Sequence, residues 1–370
     1  MLPRSRSVNP HKAASDWLLE NLEPVASGVA ARLFASDPEL SRKYGERGRM
    51  KCLEDTRYHL LHLSEAVAGQ SHRLFENYVG WAKVMLHSRG VGMDDLSKNL
   101  EIIAEQIGEH APGAFTQLLL DPIRSAIAAL PTLPEDVPSF IDPKNPLADL
   151  ANEYLSLLLV LKREEGFSLI SRRLQSGLAI KELLDLVVQP VQQEVGRLWQ
   201  ENRITVIQEH YCTAANDILL SGLRHKARGI QRSVTALAVC VEGEQHSLGL
   251  RMFADLLQAD GWKVAFAGPN CPTAEVLKQI SNTHPDLVAI SSTTALSLGR
   301  ARDLVEKIRT IPPHAAPAVL LGGAVLAANP EIANTMGADG YGKTLAEGLA
   351  AANRLVAHSR TRTNVRKRYG

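Results

Sequence analysis

The chain has 370 residues, 45% of them hydrophobic, enough for two or three domains each with its own core. Its 41 Lys and Arg almost balance 40 Asp and Glu, so a net charge of +1 offers no overall field to nucleic acid or to an anionic membrane. Without a signal-peptide pattern or an apolar run of about 18 residues it is expected to be soluble and cytoplasmic, and four scattered cysteines, Cys52, Cys212, Cys240 and Cys271, argue against a disulfide framework or a thiolate zinc site.

Residues 1–130 read as an all-helical domain. From residue 13 onward "SDWLLENLEPVASGVAARLF", "KCLEDTRYHLLHLSEAVAG", "HRLFENYVGWAKVMLHSRG" and "LSKNLEIIAEQIGEH" repeat apolar residues at three- and four-residue spacing. The stretch "LPTLPEDVPSFIDPKNP" packs five prolines into 17 residues, which excludes regular structure and marks 131–146 as a linker. Residues 147–228 are helical again, with Leu184, Val187, Val188, Val191, Val195 and Leu198 in one stripe fit for a bundle core and Pro190 placed to kink it.

At Ser233 the period changes, and residues 229–358 read as an α/β domain. "TALAVCVEG", "KVAFAG", "DLVAISS" and "AVLLGG" are short continuous apolar runs of the kind found in strands buried on both faces, and a helical stretch follows each. With a last strand near "DGYG", they predict a five-stranded parallel, flavodoxin-like or Rossmann-like sheet in the order 2-1-3-4-5 with right-handed crossovers. The basic end, 359–370 with "RTRTNVRKR", reads as a frayed, solvated tail rather than a nucleic-acid patch.

Such sheets bind ligands beyond the carboxyl ends of their strands. Three groups stand there: Glu244, His246, Ser247 and Gly249 after strand 1; Ser291, Ser292, Thr293 and Thr294 after strand 3; and Gly322-Gly323 after strand 4. An imidazole in a βα turn can ligate a metal through one nitrogen while Glu244 accepts a hydrogen bond from the other. Gly249 would let the next helix pack closely, and the glycine pair would leave a channel for a long ligand tail. A dinucleotide site would instead need a glycine-rich first turn.

Glu244-x-His246-x-x-Gly249, the Ser/Thr cluster and the glycine pair, in this order, resemble the cobalamin-binding domain whose turn histidine replaces the nucleotide base as lower cobalt ligand. The usual form is DxHxxG, with Glu244 here in place of aspartate, as in the light-responsive branch. "EVGRLWQENRITVIQEHYCT" likewise resembles the helical cap over the upper corrin face, "VGxxWxxGxIxVxxEHxxT". Together the two resemblances cover about residues 150–350. They imply that His246 ligates cobalt, that Trp199 covers the corrin, and that Glu209 and His210 lie near the upper ligand. In light-responsive repressors of the CarH type a Trp-His pair stands where this chain has Trp199-Gln200, and that histidine captures cobalt after light removes the adenosyl group. An amide is a poor substitute. Those repressors also carry a DNA-binding head, whereas residues 1–130 show no compact basic recognition helix, so DNA is not an expected partner.

The helical first domain resembles globin-like sensor modules. Joined to a cap and a cobalamin domain, it is similar to the photocobilins, light receptors that hold adenosylcobalamin and biliverdin together. On one helix Cys52, Asp55, Thr56, His59 and Leu63 share a face with His62 at its edge, able to present a carboxylate and an imidazole to pyrrole nitrogens. Lys51 or Arg57 would meet propionates. A core-edge role for His59 and a plain buried thiol at Cys52 remain the bland alternative, and a covalent bilin link through Cys52 is a further option. The resemblance implies a non-catalytic regulator, expected to be a homo-oligomer such as a dimer with a downstream protein partner. In it, photolysis of the cobalt–carbon bond, direct or through the bilin, rearranges cap and cobalamin domain. The alternatives are a corrinoid methyl carrier of a methyltransferase system and a light-independent cobalamin-sensing adaptor.

Overall fold

The computed structural model describes residues 9–36, 38–223 and 231–369, and its chain forms two compact units, 1–137 and 138–370. Residues 224–230, which hold the expected end of the bundle and the first residues of the α/β domain, lie outside the described residues, as does Gly370.

Among the described residues the first unit holds six α-helices: α1 (Pro10–Glu20), α2 (Leu22–Ser36), α3 (Pro38–Ala68), α4 (His72–His87), α5 (Met93–His110) and α6 (Gly113–Ala129). Helix α3 is broken at Gly45, whose φ of 58° is cheap only for glycine. Ser71 caps α4 by accepting the Leu74 N–H. The apolar stripes meet in a core that includes Leu18, Leu60, Leu63, Phe75, Leu100, Ile103 and Ile123, each fully buried and each contributing about 1.5–3 kcal/mol.

The proline-rich segment is less of a linker than its composition predicts. Residues Leu130–Thr132 form a 3₁₀ turn, and the buried Lys83 amine donates to the Leu130 and Leu133 carbonyls at 3.1 and 2.6 Å. Past the unit boundary, Ser139 Oγ and the Phe140 N–H both donate to buried Glu194, and Ile141 joins the core of the second unit. Prolines deny this stretch a backbone ladder, so side chains satisfy its polar groups instead.

The second unit opens with a helical bundle: α7 (Ala148–Leu159), α8 (Arg163–Gln175), α9 (Ile180–Leu183), a π turn over Leu184–Val188, α10 (Gln189–Gln200) and α11 (Val206–Leu223). The expected stripe from Leu184 to Leu198 is buried in full. The disturbance at Pro190 takes the form of that π turn, and the Leu186 carbonyl, which a proline four residues on leaves without a donor, accepts from Asn145 Nδ2 at 2.7 Å.

The sheet follows, from β1 (Thr235–Val241), β2 (Lys263–Cys271), β3 (Leu287–Ser291), β4 (Ala318–Gly322) and β5 (Gly340–Tyr341), with α12 (Leu248–Ala259), α13 (Thr273–Thr283), α14 (Leu298–Arg309), α15 (Ala324–Ala328), α16 (Pro330–Thr335) and α17 (Leu345–Tyr369) between and after the strands. All pairings are parallel and the order is β2-β1-β3-β4-β5, as the apolar runs imply. Strands β1 and β3 lie inside the sheet and are buried along almost their whole length, whereas β2 at the edge alternates exposed and half-buried positions over its first half. The basic end departs from expectation: α17 continues as backbone helix to Tyr369, since residues 349–369 contain no proline or glycine to stop it. Among the described residues no helix is long and apolar enough to cross a membrane.

Candidate functional site

At the carboxyl edge of the sheet everything converges on Glu244. Its side chain is 1% exposed and accepts five hydrogen bonds: the backbone N–H and Nδ1 of His246 at 2.9 and 2.7 Å, the N–H groups of Thr293 and Thr294 at 2.7 and 3.2 Å, and Ser297 Oγ at 2.9 Å. Burial alone would raise the carboxyl pKa, but these donors, led by the His246 side chain, pull it down to about 2. The imidazole answers in kind: its hydrogen bond to Glu244 raises its pKa against the opposing effect of burial, and the charges of Glu244 and of Glu209 on α11 add to the rise. With Nδ1 committed to Glu244 and the side chain 63% exposed, Nε2 is the nitrogen offered to a metal.

The residues expected around this pair are brought together in part. Thr293 and Thr294 hold Glu244 through their backbones. Ser291 and Ser292 are buried rather than lining an open face, and Ser292 Oγ pairs with Ser297 Oγ at 2.5 Å. Ser247 begins α12 without capping it through its side chain. Two expectations need correction. A Cβ at Gly249 would meet nothing within 4 Å, so close helix packing does not explain that glycine; it leaves open space beside His246. Gly323, at φ 114°, would put a Cβ 1.9 Å from the Ser292 carbonyl oxygen, so it seats the end of β4 against the loop after β3 rather than simply leaving a channel. Ser297 was missed because it stands 53 residues from Glu244; its only trace is a small polar residue opening a helix after a strand.

The cap side of the site is built on α10 and α11. Trp199 is half-buried against the bundle core, Gln200 is 6% exposed, and Ile204 between the helices is buried. Glu209 accepts from Thr213 Oγ1 at 2.8 Å and pairs with His210 Nδ1 at 2.6 Å, with His210 itself 74% exposed. Arg251 on α12 fastens this helix to the sheet domain through Asp217 at 2.6 Å and Ser221 at 2.8 Å. Among the described residues no group of three or more His, Cys, Asp or Glu could hold a bare ion. A lone imidazole backed by a carboxylate suits a metal that arrives already held by a larger group; His246 would supply its protein ligand, and Trp199, Glu209 and His210 are the cap residues expected to hold the rest of that group.

The N-terminal unit has a separate cavity of about 520 Å³ between α2, α3 and α5. Lys51, Cys52, Asp55 and His59 line it, together with Asn99, Lys98 and apolar Leu33, Phe34 and Leu96. Burial raises the Asp55 carboxyl to about 6, Glu54 adding to the effect while Lys51 and Arg89 oppose it. Burial lowers His59 to about 4, and its Nδ1 pairs with the Tyr78 hydroxyl at 2.8 Å. Arg57 and His62 do not line the cavity. Arg57 forms a forked ion pair with Glu23, and His62 stacks on the Tyr78 ring with centroids 3.6 Å apart.

Comparison with known proteins agrees with the second unit. Profiles described as B12 binding domain match residues 150–223 and 234–350. The HTH-type transcriptional repressor CarH of Myxococcus xanthus is 29% identical over 140 residues, 38% of this chain and 46% of the repressor. Dimethylamine corrinoid protein 3 of Methanosarcina acetivorans is 22% identical over 212 residues, 56% of this chain and 97% of that protein. In fold, the monomethylamine corrinoid protein of Methanosarcina barkeri superposes with a TM-score of 0.50 at 16% identity, covering 56% of this chain and 98% of its own. The second unit is therefore a cobalamin-binding module, a helical cap joined to a Rossmann-like domain.

Proposed function

We propose that the chain is a non-catalytic cytoplasmic light sensor that holds adenosylcobalamin between cap and sheet and biliverdin in the N-terminal cavity. The observation that supports it most is that a chain carrying a cobalamin-binding module also has, in its N-terminal unit, a cavity of about 520 Å³ lined by Lys51, Cys52, Asp55 and His59. Bound adenosylcobalamin would supply a cobalt–carbon bond that light can cleave. The chain's own part is to hold and to respond. His246, fixed by Glu244, binds from the sheet side; Trp199 and Glu209 close the other side; and Arg251 holds α11 to α12 until the cap is released. Loss of the upper ligand would remove contacts that favour the closed cap, shifting the equilibrium toward another arrangement and so changing self-association, a dimer being the simplest case, or contact with a protein partner. Gln200 is a buried amide and offers no imidazole, whereas His210 is an exposed one on the same cap.

A second reading is favoured by the corrinoid-protein match, which spans 97% of that relative: a methyl carrier that works with a methyltransferase. A light-indifferent cobalamin adaptor is the third. Absorption spectra and size-exclusion profiles of the full chain, purified with both pigments and illuminated in the red where only a bilin absorbs, separate the three. The light sensor predicts pigment uptake and a light-driven change in the cobalamin spectrum or in assembly. No bilin uptake, or uptake with no effect of red light on either, returns the protein to the carrier or the adaptor.

A further inference from the structure

The cavity of the N-terminal unit is lined by groups of two kinds. Lys51, Lys98 and Asp94 are exposed, whereas Asn99 on α5 is only 6% exposed. The Asn99 amide spends its nitrogen within the fold: Nδ2 donates to Thr56 Oγ1 at 3.1 Å and to Cys52 Sγ at 3.7 Å. Its oxygen is buried as well, and Oδ1 meets no hydrogen-bond donor among the described residues. A buried acceptor left unpaired is destabilising, so native interiors rarely keep one without a use.

The orientation of this amide is set by α3. Thr56 has no exposed surface and gives its single hydroxyl proton to the Cys52 carbonyl, one turn back, at 2.8 Å. The Thr56 oxygen is then free to accept from Nδ2, which leaves Oδ1 as the end of the amide without a partner. Reversing the amide would take the proton from the Cys52 carbonyl and the N–H from Sγ. Other polar groups of the cavity have less need of a ligand. Asp55 is half-buried and keeps contact with solvent, and His59 is engaged through Nδ1 with the Tyr78 hydroxyl.

We infer that Asn99 determines the specificity of this cavity, its Oδ1 receiving an N–H of the ligand, with Thr56 as the positioning residue that keeps the oxygen available. Exposed Lys51 and Lys98 would serve the ligand's carboxylates. This rests on the bilin reading of the cavity and goes beyond it by setting which tetrapyrroles are refused. A bilin keeps pyrrole and lactam N–H groups and carries propionates. Hemin has the same propionates, but its iron occupies every pyrrole nitrogen and no N–H remains. Hemin in this cavity would cover Oδ1 and leave it unpaired, so selectivity comes from that refusal as well as from the bond a bilin makes.

The test is absorbance titration of the full chain with biliverdin and with hemin. Asn99→Leu removes the amide at almost constant volume, Thr56→Val removes the hydroxyl that orients it, and Thr56→Ser keeps that hydroxyl; circular dichroism shows which variants fold. The wild type should prefer biliverdin. Asn99→Leu should weaken biliverdin by about tenfold and leave hemin within about twofold or bind it more tightly. Thr56→Val should move the ratio of the two affinities the same way by a smaller factor, and Thr56→Ser should keep it. An equal loss for both pigments, or an unchanged ratio in folded Asn99→Leu or Thr56→Val, overturns the inference. Wild-type affinity for hemin equal to that for biliverdin also overturns it and leaves the bilin reading intact, whereas no uptake of biliverdin by the wild type removes both.

Discussion

Each unit of the molecule sets a carboxylate beside a histidine, and the two pairs behave in opposite ways. Glu244 is almost wholly buried, yet five donors hold its pKa down to about 2 and its partner His246 is raised. Asp55 and His59, one helical turn apart on α3, share a cavity in which burial dominates, and the acid rises to about 6 while the histidine falls to about 4. Burial is common to both; the supply of donors is not. The first pair is a fixed charge that orients an imidazole, whereas in the second both groups are uncharged only between about pH 4 and pH 6, and the acid ionises above that.

The largest expected effect comes from removing the imidazole of the charged pair. His246→Ala should lower cobalamin affinity by more than about a hundredfold and leave any bound cofactor with its own base on cobalt. An unchanged cobalt spectrum and affinity would end the assignment. Glu244→Gln tests the partner and should cost about 10–100-fold in affinity, because the amide can still accept but no longer carries the charge that raises His246. A loss below about twofold in a titration of the folded variant would show that orientation, not charge, is what Glu244 supplies.

These two residues were also the most legible part of the sequence. A histidine in the first βα turn, two residues after a glutamate, needs only local spacing to be noticed, and the strand order followed from the apolar runs. What could not be read depends on contacts between residues remote in the chain. Thr293 and Ser297 meet Glu244 across 49 and 53 positions. Arg57 stands on the same helix as Asp55 and His59, but Glu23, 34 residues away, draws it outward. Gly249 looked like a packing glycine because glycine after a strand often is one; only the open space around it shows otherwise. In the linker, the prolines left only the 3₁₀ turn over Leu130–Thr132 as regular structure, and their count could not show that Lys83 and Glu194 anchor its two ends.

The neutral pair is tested by pH. Folded Asp55 keeps its proton up to about 6 whereas an unburied Asp releases it near 3.8, so between these values the folded state binds more protons than the unfolded one. Stability from this group is therefore fully present below 3.8 and is lost as pH rises through about 6. Asp55→Asn removes the cost and should raise the unfolding midpoint of the N-terminal unit, followed in the full chain, by about 2–5 °C at pH 7.5, with little gain at pH 4. An equal gain at both pH values would point to packing and would erase the contrast with Glu244.

The smallest expected effect concerns Cys52, where the contrast between the units bears on how a pigment would be held. Burial pushes this thiol above its ordinary value of 9.0, Thr56 and Asn99 offsetting the rise in part, and Asn99 Nδ2 donates to the sulfur at 3.7 Å. Attack on a bilin side chain to form a thioether requires the thiolate, and no fixed positive charge stabilises one here comparable to the donors that hold Glu244 ionised. Biliverdin taken up by this cavity should therefore be bound without a covalent link. Cys52→Ala should change its affinity by less than about twofold, since the sulfur contributes only a weak acceptor, and the pigment should separate from the denatured wild-type chain. Pigment that stays with the denatured wild type and is lost from the variant would show a reactive thiolate at Cys52, stabilised by the lysines that line the cavity.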